Sequence, residues 1–168
     1  MTRSLLARLA PVALVALAAA PSHAEPIVEP GEWEQTVTLS GGEEGAGFEG
    51  MSSTLLVCIT SEDAAILRDR ERWARQMAKG GNPQAPCEVR SSKQDGNAFS
   101  VVLACGEDAE VTVRQELRGR TGTLVAETRV GGQLHSRSHI ESRKVADACS
   151  PETLERWKQQ NPGRTFAP

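Results

Sequence analysis

The 168-residue sequence has no tyrosine, and its aromatic residues, three tryptophans and three phenylalanines, amount to only 4%. Proteins that recognise sugars or bases hold them by stacking on aromatic rings, so this scarcity argues against both ligand classes. A basic excess is missing too, since 19 lysines and arginines stand against 22 aspartates and glutamates. Binding a phosphate backbone needs clustered positive charge, and nucleic acid is therefore excluded as an expected partner. The four cysteines are spread singly, with no C-x-x-C pair, which disfavours a thiolate metal site. No G-x-S-x-G nucleophile elbow occurs. Beyond the first two dozen residues no long apolar run appears, so no transmembrane anchor is expected.

What is present at the start has the three parts of a secretory signal. Arg3 and Arg8 are basic, an apolar run follows from Leu9 to Ala20, and Ser22 and Ala24 supply the small side chains that a signal peptidase requires. Residues 1–24 are read as a signal peptide cleaved after Ala24, which places the mature protein in the periplasm. Cleavage removes two basic residues and no acidic ones, leaving 17 basic against 22 acidic side chains and a mildly acidic chain. Residues 25–160 fall within the usual size of one domain. Residues 161–168 are expected to be a disordered tail.

Export carries Cys58, Cys87, Cys105 and Cys149 to a compartment where disulfides persist, and an even count fits two bridges. Four cysteines allow three connectivities. The turn signal Asp95-Gly96-Asn97 lies midway between Cys87 and Cys105, and a hairpin centred there sets these two opposite each other. Cys58 and Cys149 are then left to pair.

Period-2 alternation marks the strands. Trp33, Val37 and Leu39 alternate with Glu34, Thr36 and Thr38, and Met51 to Thr60 reads as a second strand. Thr60 or Ser61 then caps a helix that Gly80-Gly81 ends, with Ile66, Leu67, Trp73, Ala74 and Met77 on one stripe. Further strands are predicted over Cys87–Lys93, Ala98–Cys105, Ala109–Arg118, Leu124–Val130 and Leu134–Lys144, joined by short glycine turns. Ser150-Pro151-Glu152 opens a short C-terminal helix carrying Leu154 and Trp157. The expected fold is mainly β (α+β), a curved antiparallel meander sheet packed on one α-helix, with a short C-terminal helix and two disulfides.

Three patterns resemble chemistry. Gly45-Ala46-Gly47-Phe48-Glu49-Gly50 matches G-x-G-x-x-G, but the next segment is a strand rather than the helix a pyrophosphate needs. His135 and His139 have zinc-like i, i+4 spacing, yet along a strand they stand about 13 Å apart. Glu127, Glu141 and His139 are the conceivable acid and base of a hydrolase or isomerase assembled from separate strands. Trp33, Trp73 and Trp157 sit on the apolar faces of their elements; core anchoring is the first reading and lining a groove between helix and sheet the second.

Four features together resemble the exported proteobacterial family known as domain of unknown function 3617. They are Pro30-Gly31-Glu32-Trp33-Glu34, Cys58-Ile59-Thr60-Ser61-Glu62-Asp63, the two-cysteine hairpin ending Cys105-Gly106, and Arg143-Lys144 before Cys149. Asp147-Ala148 replaces the glycine usual before the last cysteine, and a glycine-glutamate loop replaces the family's methionine- and proline-rich tract. The resemblance implies export and architecture, and the family has no established activity to lend. The functional expectation is a non-catalytic periplasmic protein, without metal or cofactor, that binds a small apolar ligand or an envelope partner; an inhibitor-like interaction protein is a further alternative.

Overall fold

The computed structural model describes residues 28–42, 50–80 and 87–162. The signal-like segment, most of the glycine-glutamate loop and the last six residues therefore lie outside the described residues. Seven strands form one antiparallel sheet: β1 (Gly31–Gly41), β2 (Met51–Ile59), β3 (Cys87–Asp95), β4 (Ala98–Cys105), β5 (Ala109–Arg118), β6 (Thr121–Val130) and β7 (Gln133–Ala146). Their order across the sheet is β2-β1-β7-β6-β5-β4-β3. From β3 to β7 each strand pairs with its successor, a plain meander. The long-range step is the pairing of β7 with β1, which joins the meander to the N-terminal hairpin.

Three helices are described: α1 (Ser61–Arg68), α2 (Arg70–Gly80) and α3 (Pro151–Gln160). The single helix expected up to Gly80 is thus two, and the break has a local cause. Thr60 and Asp63 form a capping box that starts α1. Asp69 then leaves the helical region at ψ 92°, and its backbone N–H still donates to the Ala65 carbonyl. Its carboxylate accepts from the Arg72 backbone N–H at 3.0 Å. One aspartate therefore closes α1 and caps α2, as short polar side chains that compete for backbone N–H groups do.

Cross-strand partners share a face of a sheet. Phe99, Val101, Leu103 and Val113 face the helices and bury with Ile66, Trp73, Ala74 and Ala78 in one core cluster. Trp73 meets Phe99 edge-on, with ring centroids 5.2 Å apart. A second cluster joins Trp33 and Leu117 of the sheet to Ala64 of α1 and to Val28. The opposite face carries alternating threonines, glutamates and arginines. Helix packing is concentrated on β2, β3 and β4, which leaves the middle strands of the sheet with little helical cover among the described residues.

Disulfides join Cys58 to Cys149 and Cys87 to Cys105. The second crosses the β3–β4 hairpin between directly paired residues. The first ties β2 to the segment that opens α3. Gly31 is constrained by its surroundings: its φ is +137°, and a Cβ there would stand 2.4 Å from the Ala146 carbonyl oxygen. Only glycine satisfies both conditions.

Candidate functional site

Apart from the Cys87–Cys105 hairpin at the β3 edge, the segments that carry the sequence motifs meet at the β1–β2 side of the sheet, where they bond to one another. Glu32 is buried and accepts from the backbone N–H and hydroxyl of Ser150, at 3.1 and 2.6 Å. These bonds, led by the Ser150 hydroxyl, hold its pKa below the ordinary glutamate value. The Trp33 indole donates to the Glu29 carbonyl at 3.1 Å, and the Trp157 indole to the Asp63 carboxylate at 3.0 Å. Lys144, its side chain 5% exposed, pairs with Glu29 at 2.7 Å and Asp147 at 2.9 Å. Burial pulls its pKa down, but the two carboxylates outweigh that and leave it raised. With the Cys58–Cys149 bridge, these contacts fasten β1, β2, β7, α1 and α3 into one block. Among the described residues, none of these groups lines the clefts described below, and the contacts they make hold elements together.

The open polar face holds a cleft of about 570 Å³ lined by Glu34, Glu116, Arg118, Glu141 and Arg143 with flanking threonines. Its arginines are already partnered, Arg143 with Glu34 at 2.7 Å and Arg118 with Glu116 at 2.8 Å. Glu127, Glu141 and His139 all lie on this face. Glu127 sits 3.7 Å from Arg129 and 3.9 Å from Arg137, while His139 stands opposite Thr38 and Val125. No hydrogen bond links the three, so the geometry sets up no proton relay among them. His135 falls at the irregularity between β6 and β7, and among the described residues no group of metal-ligating side chains converges.

The helix-bearing side differs. Phe99, Gln115, Leu124, Ile140 and Val37 form one row across the sheet, and Val101, Val113, Ala126, Ser138, Leu39 and Met51 form the next. The helices cover the β4 end of both rows. Toward β1 and β2 the rows emerge, with Leu39 44% and Met51 58% exposed. A cleft of about 400 Å³ opens beside Leu39, lined by Leu39 and Ala126 and by the polar Thr128, His135, Ser136 and Ser138. The volume falls in the range of small-molecule sites. All three tryptophans are buried, Trp33 and Trp73 in the two core clusters and Trp157 against the α1 cap. None lines this cleft or the polar one.

At the helix-covered end of the first row, by Phe99 and Gln115, lies Arg70, the first residue of α2 and 7% exposed. Its Nη1 donates to the Gln115 side-chain oxygen at 2.9 Å, and its guanidinium lies 5.4 Å from the centre of the Phe99 ring. Burial lowers its pKa from the ordinary arginine value. Its position was legible: Arg70 stands four residues after Ile66 and three before Trp73, a cation within the apolar stripe.

The architecture is that of an open, seven-stranded antiparallel sheet with three helices and two disulfides. Residues 28–149 match the family described as "Protein of unknown function (DUF3617)", and the chain belongs to that family. No curated protein and no solved structure matches the chain.

Proposed function

We propose that the chain is an exported periplasmic protein that holds a small apolar ligand in the trough on the helix-bearing face of its sheet. The observation that carries this reading is the half-covered face: Val37, Leu39, Met51, Leu124 and Ile140 continue the core rows beyond the helices, and a cleft of about 400 Å³ opens beside them at Leu39 and Ala126. Apolar surface left uncovered beside a concave site is retained at a cost in solubility, and binding gives it a use. Export is supported by the signal-like residues 1–24 and by two disulfides, and no described helix is long and apolar enough to cross a membrane.

The test is native mass spectrometry of protein isolated gently from the periplasm, followed by titration with a neutral fluorescent apolar probe. The denatured mass is expected to show cleavage after Ala24 and the loss of four hydrogens. Probe binding that Leu39→Asp abolishes while the thermal melt stays intact supports the reading. A trough that takes up neither co-purified ligand nor probe overturns it and turns attention to a protein partner for the same exposed apolar surface.

A further inference from the structure

Among the described residues, Arg70 is the side chain whose polar atoms are buried without a hydrogen-bond partner. Nε and Nη2 are buried without a hydrogen-bond partner among the described residues, while Nη1 is held by Gln115. Nε and Nη2 form the side-on fork of the guanidinium, the edge that takes a carboxylate with two parallel N–H donors. The same edge is in use elsewhere in this chain, where the Nε and Nη2 of Arg118 both donate to the Glu116 carboxylate. Leaving a charged fork desolvated and unpaired is expensive, and an anion delivered to it removes that cost.

Arg70 stands at one end of an apolar row. It lies just past the break between α1 and α2, over Phe99 and Gln115. From Gln115 the row runs through Leu124 and Ile140 to Val37, half-buried side chains beyond the helices, one row away from the cleft at Leu39 and Ala126. Neighbouring strands lie about 4.8 Å apart, so the path spans three strand intervals, roughly 14 Å. Gln115 and Phe99, the residues that hold the guanidinium, bring no second positive charge, and a single buried cation balances a single negative one.

Building on the apolar-ligand reading, we infer that the ligand is an acidic amphiphile, a medium- or long-chain carboxylate. Its head group occupies the Arg70 fork and its alkyl chain lies along the row from Leu124 to Val37. Because the two nitrogens are enclosed, entry of the head requires the first turn of α2 to move.

The experiment uses the full mature chain with both disulfides formed and a neutral apolar fluorescent probe in the trough, displaced by decanoate, decanol or decyl phosphate. Decanoate is expected to displace the probe at a concentration at least about tenfold lower than decanol, as a charge-assisted bidentate pair implies. Arg70→Met should bring decanoate to the level of decanol without changing decanol itself. Arg70→Lys, which keeps the charge and loses the fork, should fall between. Gln115→Leu, which frees the guanidinium from its anchor, keeps the test readable should Arg70→Met fail to fold. Equal displacement by acid and alcohol in the wild type overturns the inference while leaving an apolar site in place. So does a preference that survives Arg70→Met, and a stronger effect of decyl phosphate than of decanoate overturns the carboxylate class. A probe that does not bind at all removes the apolar-ligand reading and this one with it.

Discussion

Replacing both cysteines of each bridge with serine separates the work of the two disulfides. Cys58 and Cys149 are 91 residues apart in sequence, and Cys87 and Cys105 only 18. Loop-closure entropy of the unfolded chain then assigns about 4.6 kcal/mol to the long bridge and about 3.2 to the short one. With a urea slope of about 2 kcal/mol per molar, the difference of about 1.4 kcal/mol separates the two midpoints by about 0.7 M. Structure adds in the same direction. The long bridge holds α3 beside β2, where Arg156 reaches the Leu56 carbonyl, whereas the short one crosses a hairpin that ladder hydrogen bonds already close. The assay is equilibrium urea unfolding followed by tryptophan fluorescence. Trp157 reports directly on α3 through its bond to Asp63. A Cys87→Ser, Cys105→Ser variant that unfolds at lower urea than the Cys58→Ser, Cys149→Ser variant would refute the reasoning.

Other substitutions test single contacts. Gly31→Ala forces a side chain into a positive-φ position and against the Ala146 carbonyl, and should lower stability by about 2 kcal/mol or more in thermal melts. Glu32 has a folded-state pKa below its unfolded value, so its contribution is present above about pH 4.3 and lost as pH falls through the lower folded value. Glu32→Gln should accordingly melt lower at neutral pH and show a flatter decline between about pH 5 and pH 3. Asp69→Ala removes the cap of α2 and should cost about 1 kcal/mol, read as a loss of helical circular dichroism and a lower melting temperature. Phe99→Ala takes a ring from under Trp73 and Arg70 and should cost about 3 to 5 kcal/mol in urea titration.

Much of this protein follows from neighbours in the chain. Alternation in Val111, Val113 and Leu117 sets which side of β5 is buried, because successive side chains on a strand point to opposite faces. Glycine turns at Gly96, Gly106, Gly119 and Gly131 make consecutive strands antiparallel, and Thr60 and Ser150 start helices by capping their own first turns. The cap at Asp69 is equally local, followed by Glu71 in the first turn of α2, and it was hidden only by the unbroken apolar stripe on either side.

Tertiary structure decided what depends on residues far apart. The pairing of β1 with β7 joins segments about a hundred residues apart, and nothing in either strand names the other. Burial of the tryptophans rests on how far the helices reach: Trp33 lies under α1, whereas Leu39, six residues along the same strand, lies beyond the helices and is 44% exposed. Periodicity reports which face a side chain takes, but the cover above that face is set by helix length and crossing, a property of the whole packed chain. Arg70 could be read as a cation in an apolar stripe. That its fork is buried, with the remaining nitrogen held by Gln115 of β5, emerged only when α2 packed on β3 and β4.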